Sequence, residues 1–285
     1  MDRVCYVINF YFGKRRKSID RYNHVDRLCF VRKQIETLTE FKHNLSKIIF
    51  NFNLDLEHYS YFNEALEIIP QQIQNSKVEI NIRENKGMSY GAWSDLFGKN
   101  RDKFDYFIFN EDDYFFIEDN FDSTLIRKFN SHPDCGYLCM IVRASKNWNN
   151  NLTHAGHSTG ISSNEILKKI YLKYGELPHG NTSDYSENEK NGQIAQSNIF
   201  VKEGYKLYDI RDEYKVLFTP GGIDNENDIH RYFDYNEKEL IKPARTVLDS
   251  SGYKFWAPYD EQYSIDYLTK LYAQEKETPS DSKAD

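Results

Sequence analysis

Three successive acids, Glu111-Asp112-Asp113, interrupt the apolar segment FDYFIFNEDDYFF (104–116). Like charges at the end of a buried strand repel one another and desolvate poorly, so something must compensate them. Carboxylates gathered on a rigid strand end suit a hard divalent cation such as Mg2+ or Mn2+, which prefers oxygen ligands. One or two direct carboxylates suffice where phosphate oxygens complete the shell. The competing reading, a solvated acidic turn, has to explain acids wedged between Phe109 and Phe115-Phe116.

Three other stretches carry residues of chemical interest. In Asn85-Lys86-Gly87-Met88-Ser89-Tyr90-Gly91, the glycines permit close backbone approach and a helix starting there favours phosphate. The same residues also make an ordinary β-α turn. NFYFGKRRKS (9–18) offers Asn9, then Tyr11 as an aromatic able to stack on a base, then Lys14-Arg15-Arg16-Lys17. An arginine there can pair with phosphate bidentately, while the run as a whole reads as a solvated charged face. HAGHSTGISSNEIL (154–167) holds His154, His157, Thr159 and Gly160.

The elements that must position these groups follow from periodicity. VCYVINFYF (4–12), KIIFNFN (47–53), KVEINIREN (77–85), FDYFIFN (104–110) and CGYLCMIV (135–142) read as strands. Leu28, Val31, Ile35, Leu38 and Phe41 keep helical spacing over 26–41. NEALEIIPQQI (63–73) predicts a short helix interrupted by Pro70. A helix with Trp93 and Phe97 on one side follows Gly87, and another spans 122–132 with Asp122 as its cap. Beyond residue 153, a glycine-bearing turn leads into a helix starting at Ser162 or Ser163, 181–192 reads as a polar mobile loop, 193–204 as a helix closed by Gly204, and 205–210 as a strand. Strands alternating with helices predict an α/β fold with a mostly parallel central sheet flanked by helices and an irregular C-terminal half. In such sheets ligands sit beyond the carboxyl ends of the strands.

The 285 residues carry 37 basic and 44 acidic side chains, a net charge of −7. That balance argues against nucleic acid as the main partner. Twenty-two Tyr and 19 Phe supply core, with some tyrosines able to stack on sugars or bases. Cys5, Cys29, Cys135 and Cys139 lack zinc-site spacing and read as buried thiols. With no leader-like segment and no apolar run of about 18 residues, the chain reads as cytoplasmic, or at most peripheral to a membrane. It is expected to form one domain over 1–275, divided into halves 1–117 and 118–275, with 276–285 a disordered tail by composition.

The early strand, the strand leading into ENKGMSYGAW (84–93) and the strand ending NEDDY (110–114) resemble glycosyltransferases of the GT-A (Rossmann-like) fold, family-2-like enzymes above all, over about residues 4–210. The resemblance implies a metal-dependent transfer of a sugar from a nucleoside diphosphate donor to a hydroxyl of a glycan or glycoconjugate, as in polysaccharide biosynthesis. It implies Asp113, with Glu111, as ligands of Mn2+ or Mg2+. Glu111, Asp112, Asn9, Tyr11, Asn85, Gly87, Tyr90 and Gly91 would line the donor site, and His157, Thr159 and Gly160 the side of the acceptor and transferred sugar. An inverting transfer needs a carboxylate base, which relatives place just before a segment like IAQSNIFVKEGYKL (194–207). Gln193 stands there and cannot act as a base. The candidates are then Asp184, Glu187 and Glu189 in the preceding loop.

Two rival readings stay open. A nucleotidyltransferase would use acids and a metal on a similar sheet, but it would show a G-x-G-x-R type signature in the first loop, which has Gly13 alone. A degenerate carbohydrate- or nucleotide-binding protein of the same fold would explain Gln193 best.

Overall fold

A computed structural model describes residues 2–13, 28–55, 59–140, 142–144, 153–155, 159–210, 241–243, 245–248 and 254–257. Lys14 to Lys17, His157 and residues 276–285 lie outside the described residues, and of His154 the backbone alone is described.

In chain order the first part comprises β1 (Val4–Tyr11), α1 (Cys29–Glu40), β2 (Lys47–Leu54), α2 (Tyr59–Ile68), β3 (Gln72–Ile73), β4 (Ser76–Glu84), α3 (Met88–Asn100), β5 (Tyr106–Glu111), β6 (Tyr114–Phe116) and α4 (Phe121–Asn130). The second comprises β7 (Cys135–Cys139), β8 (Val142–Ala144), β9 (Thr153–Ala155), β10 (Gly160–Ser163), α5 (Asn164–Tyr174), α6 (Tyr185–Asn188), a π-helical turn (Glu189–Ile194), α7 (Ala195–Lys202), β11 (Lys206–Asp209), β12 (Ile241–Pro243), β13 (Arg245–Leu248) and β14 (Lys254–Ala257). Eight strands form one sheet in the order β11-β7-β10-β5-β1-β2-β4-β3. β5, β1, β2 and β4 run parallel, as do β7 and β11, while β10 is antiparallel to both its neighbours. The α/β, mostly parallel, helix-covered sheet is the expected fold class.

Alternate residues of each strand serve opposite layers. Tyr6, Ile8, Phe10, Ile48, Phe50 and Phe52 pack under α1, α2 and α4. Cys5, Val7, Ile49, Phe107 and Phe109 pack under α3, α5 and α7, with Trp93 stacked on Phe109 at 4.8 Å between centroids. All four cysteines are buried and unbridged, as expected of core thiols. No helix among the described residues is long and apolar enough to cross a membrane.

Several expected elements differ. Residues 72–73 form β3, an edge strand antiparallel to β4, rather than the end of a helix, and α2 stops at Ile68, two residues before Pro70. The chain before α5 is not a turn alone. Gly160 to Ser163 make β10, inserted between β5 and β7, where a Cβ on Gly160 would stand 2.5 Å from the Leu138 carbonyl oxygen. Asp122 does not cap α4. Asn120, in the left-handed region at φ +59°, precedes the helix, and the Asp122 carboxylate accepts the Asn44 N–H at 2.8 Å. The strand from 135 ends at Cys139. Residues 185–192, expected within a loop over 181–192, are helical, through α6 and the π turn into α7. Ser163 caps α5 as expected, its Oγ accepting the Ile166 N–H, and Gly204, at φ +89°, follows α7.

Candidate functional site

Across the sheet the chain steps outward one way from β1 through β2 to β4, and the other way through β5. A crevice at the carboxyl ends of β1 and β5 is therefore where an open α/β sheet receives a ligand. The acids lie at this place. Glu111 ends β5, Asp112-Asp113 form the turn, and the chain continues into β6, which pairs with β12 outside the main sheet. Asp112 and Asp113 are buried and Glu111 half-buried.

The turn is held from three sides. The Asp112 N–H donates to the Asn9 carbonyl at 3.1 Å, and the Asp112 carboxylate accepts the Tyr11 N–H at 3.3 Å. From α1, Gln34 Nε2 donates to the carbonyls of Asp112 at 3.0 Å and Tyr114 at 2.6 Å. Just before β10, Thr159 Oγ1 accepts the Glu111 N–H at 3.2 Å and donates to Asn110 Oδ1 at 3.1 Å. Thr159, expected on the sugar side, thus meets the acids directly. Gly160 beside it has a packing role in the sheet.

Beneath α3, the layer that is apolar deeper in the sheet becomes amide. Glu111, Asn9, Asn51 and Asn81 stand opposite one another on four adjacent strands, β5, β1, β2 and β4. Asn81 Nδ2 donates to Asn51 Oδ1 at 2.7 Å, and Asn51 Nδ2 to Asn9 Oδ1 at 2.6 Å. Asn9 Nδ2 donates to Ser89 Oγ at 3.0 Å, whose hydroxyl donates to Glu111 at 3.1 Å. Asn53 Nδ2 also donates to Asn9 Oδ1, at 2.9 Å, and Asn53 Oδ1 accepts from Arg83 at 2.9 Å. Burying amides this deep is costly unless their groups are paired, and here they pair with one another. Of this network the resemblance pointed to Asn9 and Glu111; Asn51, Asn53, Asn81, Ser89, Arg83 and Gln34 were missed. A signal was present in I-N-F (8–10), F-N-F-N (50–53) and I-N-I (80–82), asparagine recurring among strand apolars.

The entry to α3 is a left-handed pair, Gly87 at φ +71° and Met88 at φ +48°. The Gly87 N–H donates to the Thr182 carbonyl at 2.9 Å, and a Cβ on Gly87 would lie 2.5 Å from the Gly180 oxygen. A Cβ on Gly91 would lie 2.2 Å from the Lys86 oxygen. Asn85 is buried, and among the described residues its Oδ1 accepts no hydrogen bond. Tyr90 points into the core, edge-on to Trp93 at 4.9 Å, its ring against Gly192 of the π turn. Tyr11 donates its hydroxyl to Asp55 at 2.8 Å, and its ring packs on Gly13.

Segment 180–194 therefore packs on the α3 entry and carries the base candidates there. Two of them are engaged locally: Asp184 caps α6 by accepting the Glu187 N–H at 2.8 Å, and Glu187 accepts the Thr182 hydroxyl at 2.7 Å. Glu189, half-buried in the π turn, makes no side-chain hydrogen bond among the described residues. π turns of this kind are frequent at functional sites. No three ligating side chains of His, Cys, Asp or Glu gather among the described residues. A cation here would take one or two carboxylates plus oxygens of its ligand, an all-oxygen set that fits Mg2+ or Mn2+.

No family model matches the chain. Over 162 residues it is 28% identical to a probable DNA-directed RNA polymerase of Neurospora crassa, covering 52% of this chain and 17% of that protein. The chain thus spans well under two thirds of that relative. Among solved structures it is similar to a cytidylyltransferase from Leptospira borgpetersenii, with 13% identity, TM-score 0.43 and coverage of 73% of this chain and 76% of that one. It is also similar to a CMP:2-keto-3-deoxy-manno-octonic acid synthetase complexed with CTP (13%, 0.41, 78% and 93%). A third is HddC from Yersinia pseudotuberculosis (16%, 0.37, 67% and 88%). Likenesses this distant carry nothing about activity.

Proposed function

We propose that the chain is a transferase acting on nucleotide-linked sugars, with the nucleotide's phosphates in the crevice between β1 and β5. The observation that carries this reading is the in-register row Glu111–Asn9–Asn51–Asn81 beneath the start of α3, with two buried acids at the adjoining turn. A sheet rarely gives its core-facing positions to amides and carboxylates unless they serve a polar ligand. Asp113 and Glu111 would hold Mg2+ or Mn2+, which neutralises charge on the departing phosphates when bound. Asp112 and Asn9 would face the donor and Asn85 its phosphates, whereas the Gly87 N–H is already taken by the Thr182 carbonyl and Gly91 packs on the Lys86 carbonyl.

The leading reaction is glycosyl transfer to a hydroxyl of a glycan or glycoconjugate. The acceptor oxygen bonds to the anomeric carbon, its proton passes to Glu189, and the nucleoside diphosphate departs. Of the three base candidates Glu189 is preferred because Asp184 and Glu187 are tied into the α6 cap. That same engagement favours a second reading, nucleotidyl transfer. An already anionic sugar phosphate attacking an α-phosphate needs no base from this segment, and pyrophosphate leaves instead.

Thermal stability with UDP, GDP, CDP and dTDP, each with and without Mn2+, tests the site. A ligand at a hundredfold its Kd adds about 2.7 kcal/mol. One nucleotide should give a metal-dependent shift that Asp113→Ala removes; no shift with any of them overturns the reading. Product analysis then decides between the reactions, nucleoside diphosphate from a sugar nucleotide for the first and pyrophosphate from a nucleoside triphosphate for the second.

A further inference from the structure

A cleft of about 530 Å3, lined by none of the three acids, lies between the end of β4, one side of α3 and the end of α5. Clefts of roughly 300–1,000 Å3 accommodate small molecules. Arg83, Glu84, Asp95, Lys99, Tyr171 and Glu176 line it, and Gly91, Gly98 and Gly175 leave stretches of its wall to backbone.

Its charges are arranged unequally. Lys99 pairs with Asp95 at 2.8 Å, with the two side chains 54% and 36% exposed, and Glu176 pairs with His179 at 3.2 Å. Open pairs like these are worth little and re-partner readily. Arg83 is different. Its half-buried guanidinium donates to neutral oxygens, those of Asn53 at 2.9 Å, Lys86 at 2.8 Å and Met88 at 3.5 Å. Asp95 and Glu84 favour its charge from a distance, yet burial outweighs them. Arginine carries five N–H donors, so these contacts leave two for a ligand in the cleft that Arg83 lines.

A bare anion would offer nothing to the three carboxylates, which Lys86, Lys99 and His179 now hold, and a neutral sugar would leave the guanidinium uncompensated. A sugar with one anionic group answers both, the anion to Arg83 and Lys99, the hydroxyls donating to Glu84, Asp95 and Glu176. We infer that this cleft binds a monosaccharide carrying a single anionic group, phosphate or carboxylate.

Amide NMR of the full chain tests this, titrating glucose 6-phosphate, glucuronate and glucose in turn, with Gly98 and Gly175 as reporters. At least one anionic sugar should shift both reporters saturably, and the tighter of the two names the anionic group. Lys99→Ala should weaken that binding about tenfold. Arg83 also braces the α3 entry, so the exposed Lys99 is the variant of choice, with Glu176→Gln as a second that should weaken binding without touching the anion. The same shifts should persist in Asp113→Asn, which disables the crevice. An equal response to glucose, no saturable shift at either reporter, or shifts lost in Asp113→Asn would each overturn the inference. A nucleotide that fails to bind the crevice would leave it standing.

Discussion

The two faces of the sheet are made by alternate residues of the same strands, and they end differently. On the face under α1 and α2, aromatics continue to the carboxyl ends, with Phe10 stacked on Phe50 at 5.5 Å and on Phe52 at 5.1 Å, and Phe12 on Phe52 at 5.7 Å. On the face under α3, Cys5, Val7 and Ile49 give way to Asn9, Asn51 and Asn53. On β1 and β2 one face stays aromatic to its rim; the other trades apolar packing for hydrogen bonds over the last residues of the strands. Stability and ligand chemistry are thus assigned to opposite sides of one backbone, and a single register holds both.

Substitutions on either side can break or sharpen that contrast. Phe50→Ala should have the largest effect, about 3–5 kcal/mol by denaturant unfolding, because it opens a cavity in a fully buried stack. On the opposite face Asn9→Ala strands the donors of Asn51 and Asn53 and should cost about 1–3 kcal/mol. It should also weaken nucleotide binding, which Phe50→Ala at matched stability should not. A loss at Asn9 as large as at Phe50, with binding intact, would dissolve the division of labour. Gly91→Ala drives a Cβ into the Lys86 carbonyl and should cost about 1–3 kcal/mol. Its signature would be weakened metal-dependent nucleotide protection rather than a change in the aromatic layer.

The smallest effect is on pH dependence. His43, buried beside Phe121, has its pKa lowered by burial, against the Leu38 carbonyl and Asp122, which act to raise it. The folded chain then resists a proton that the unfolded chain accepts. The stability His43 contributes is therefore present above the unfolded pKa of about 6.5 and is lost as pH falls from there through the lower folded pKa. Unfolding curves across that range should slope more steeply for the natural chain than for His43→Gln. Parallel curves would show that the aromatic face does not exclude this charge.

The strands and most helices were legible because their apolar spacing is strong: β1, β2, β4 and β5 lie within two residues of the expected runs. β10 was not, since Gly160-Ile-Ser-Ser holds one apolar residue and its place depends on two strands distant in sequence. The π turn hid in a polar stretch whose helicity comes from packing on Tyr90 and the α3 entry. The acids were plain to see, but the amide row was not. Each asparagine looks like an interruption of its own strand, and only the register between strands makes the four positions one object.

That row has a direction. Lys99 Nζ approaches Asn81 Oδ1 at 3.4 Å, and from there every link, through Asn51, Asn9 and Ser89, donates toward Glu111. Strand dipoles largely cancel within a sheet. Here side-chain amides aligned head to tail lay a net dipole across the strands, with an ammonium at its negative end and a carboxylate at its positive end. Bonds chained in one sense polarise one another. The electrostatic potential felt at Glu111 is therefore set in part by an amine three strands away.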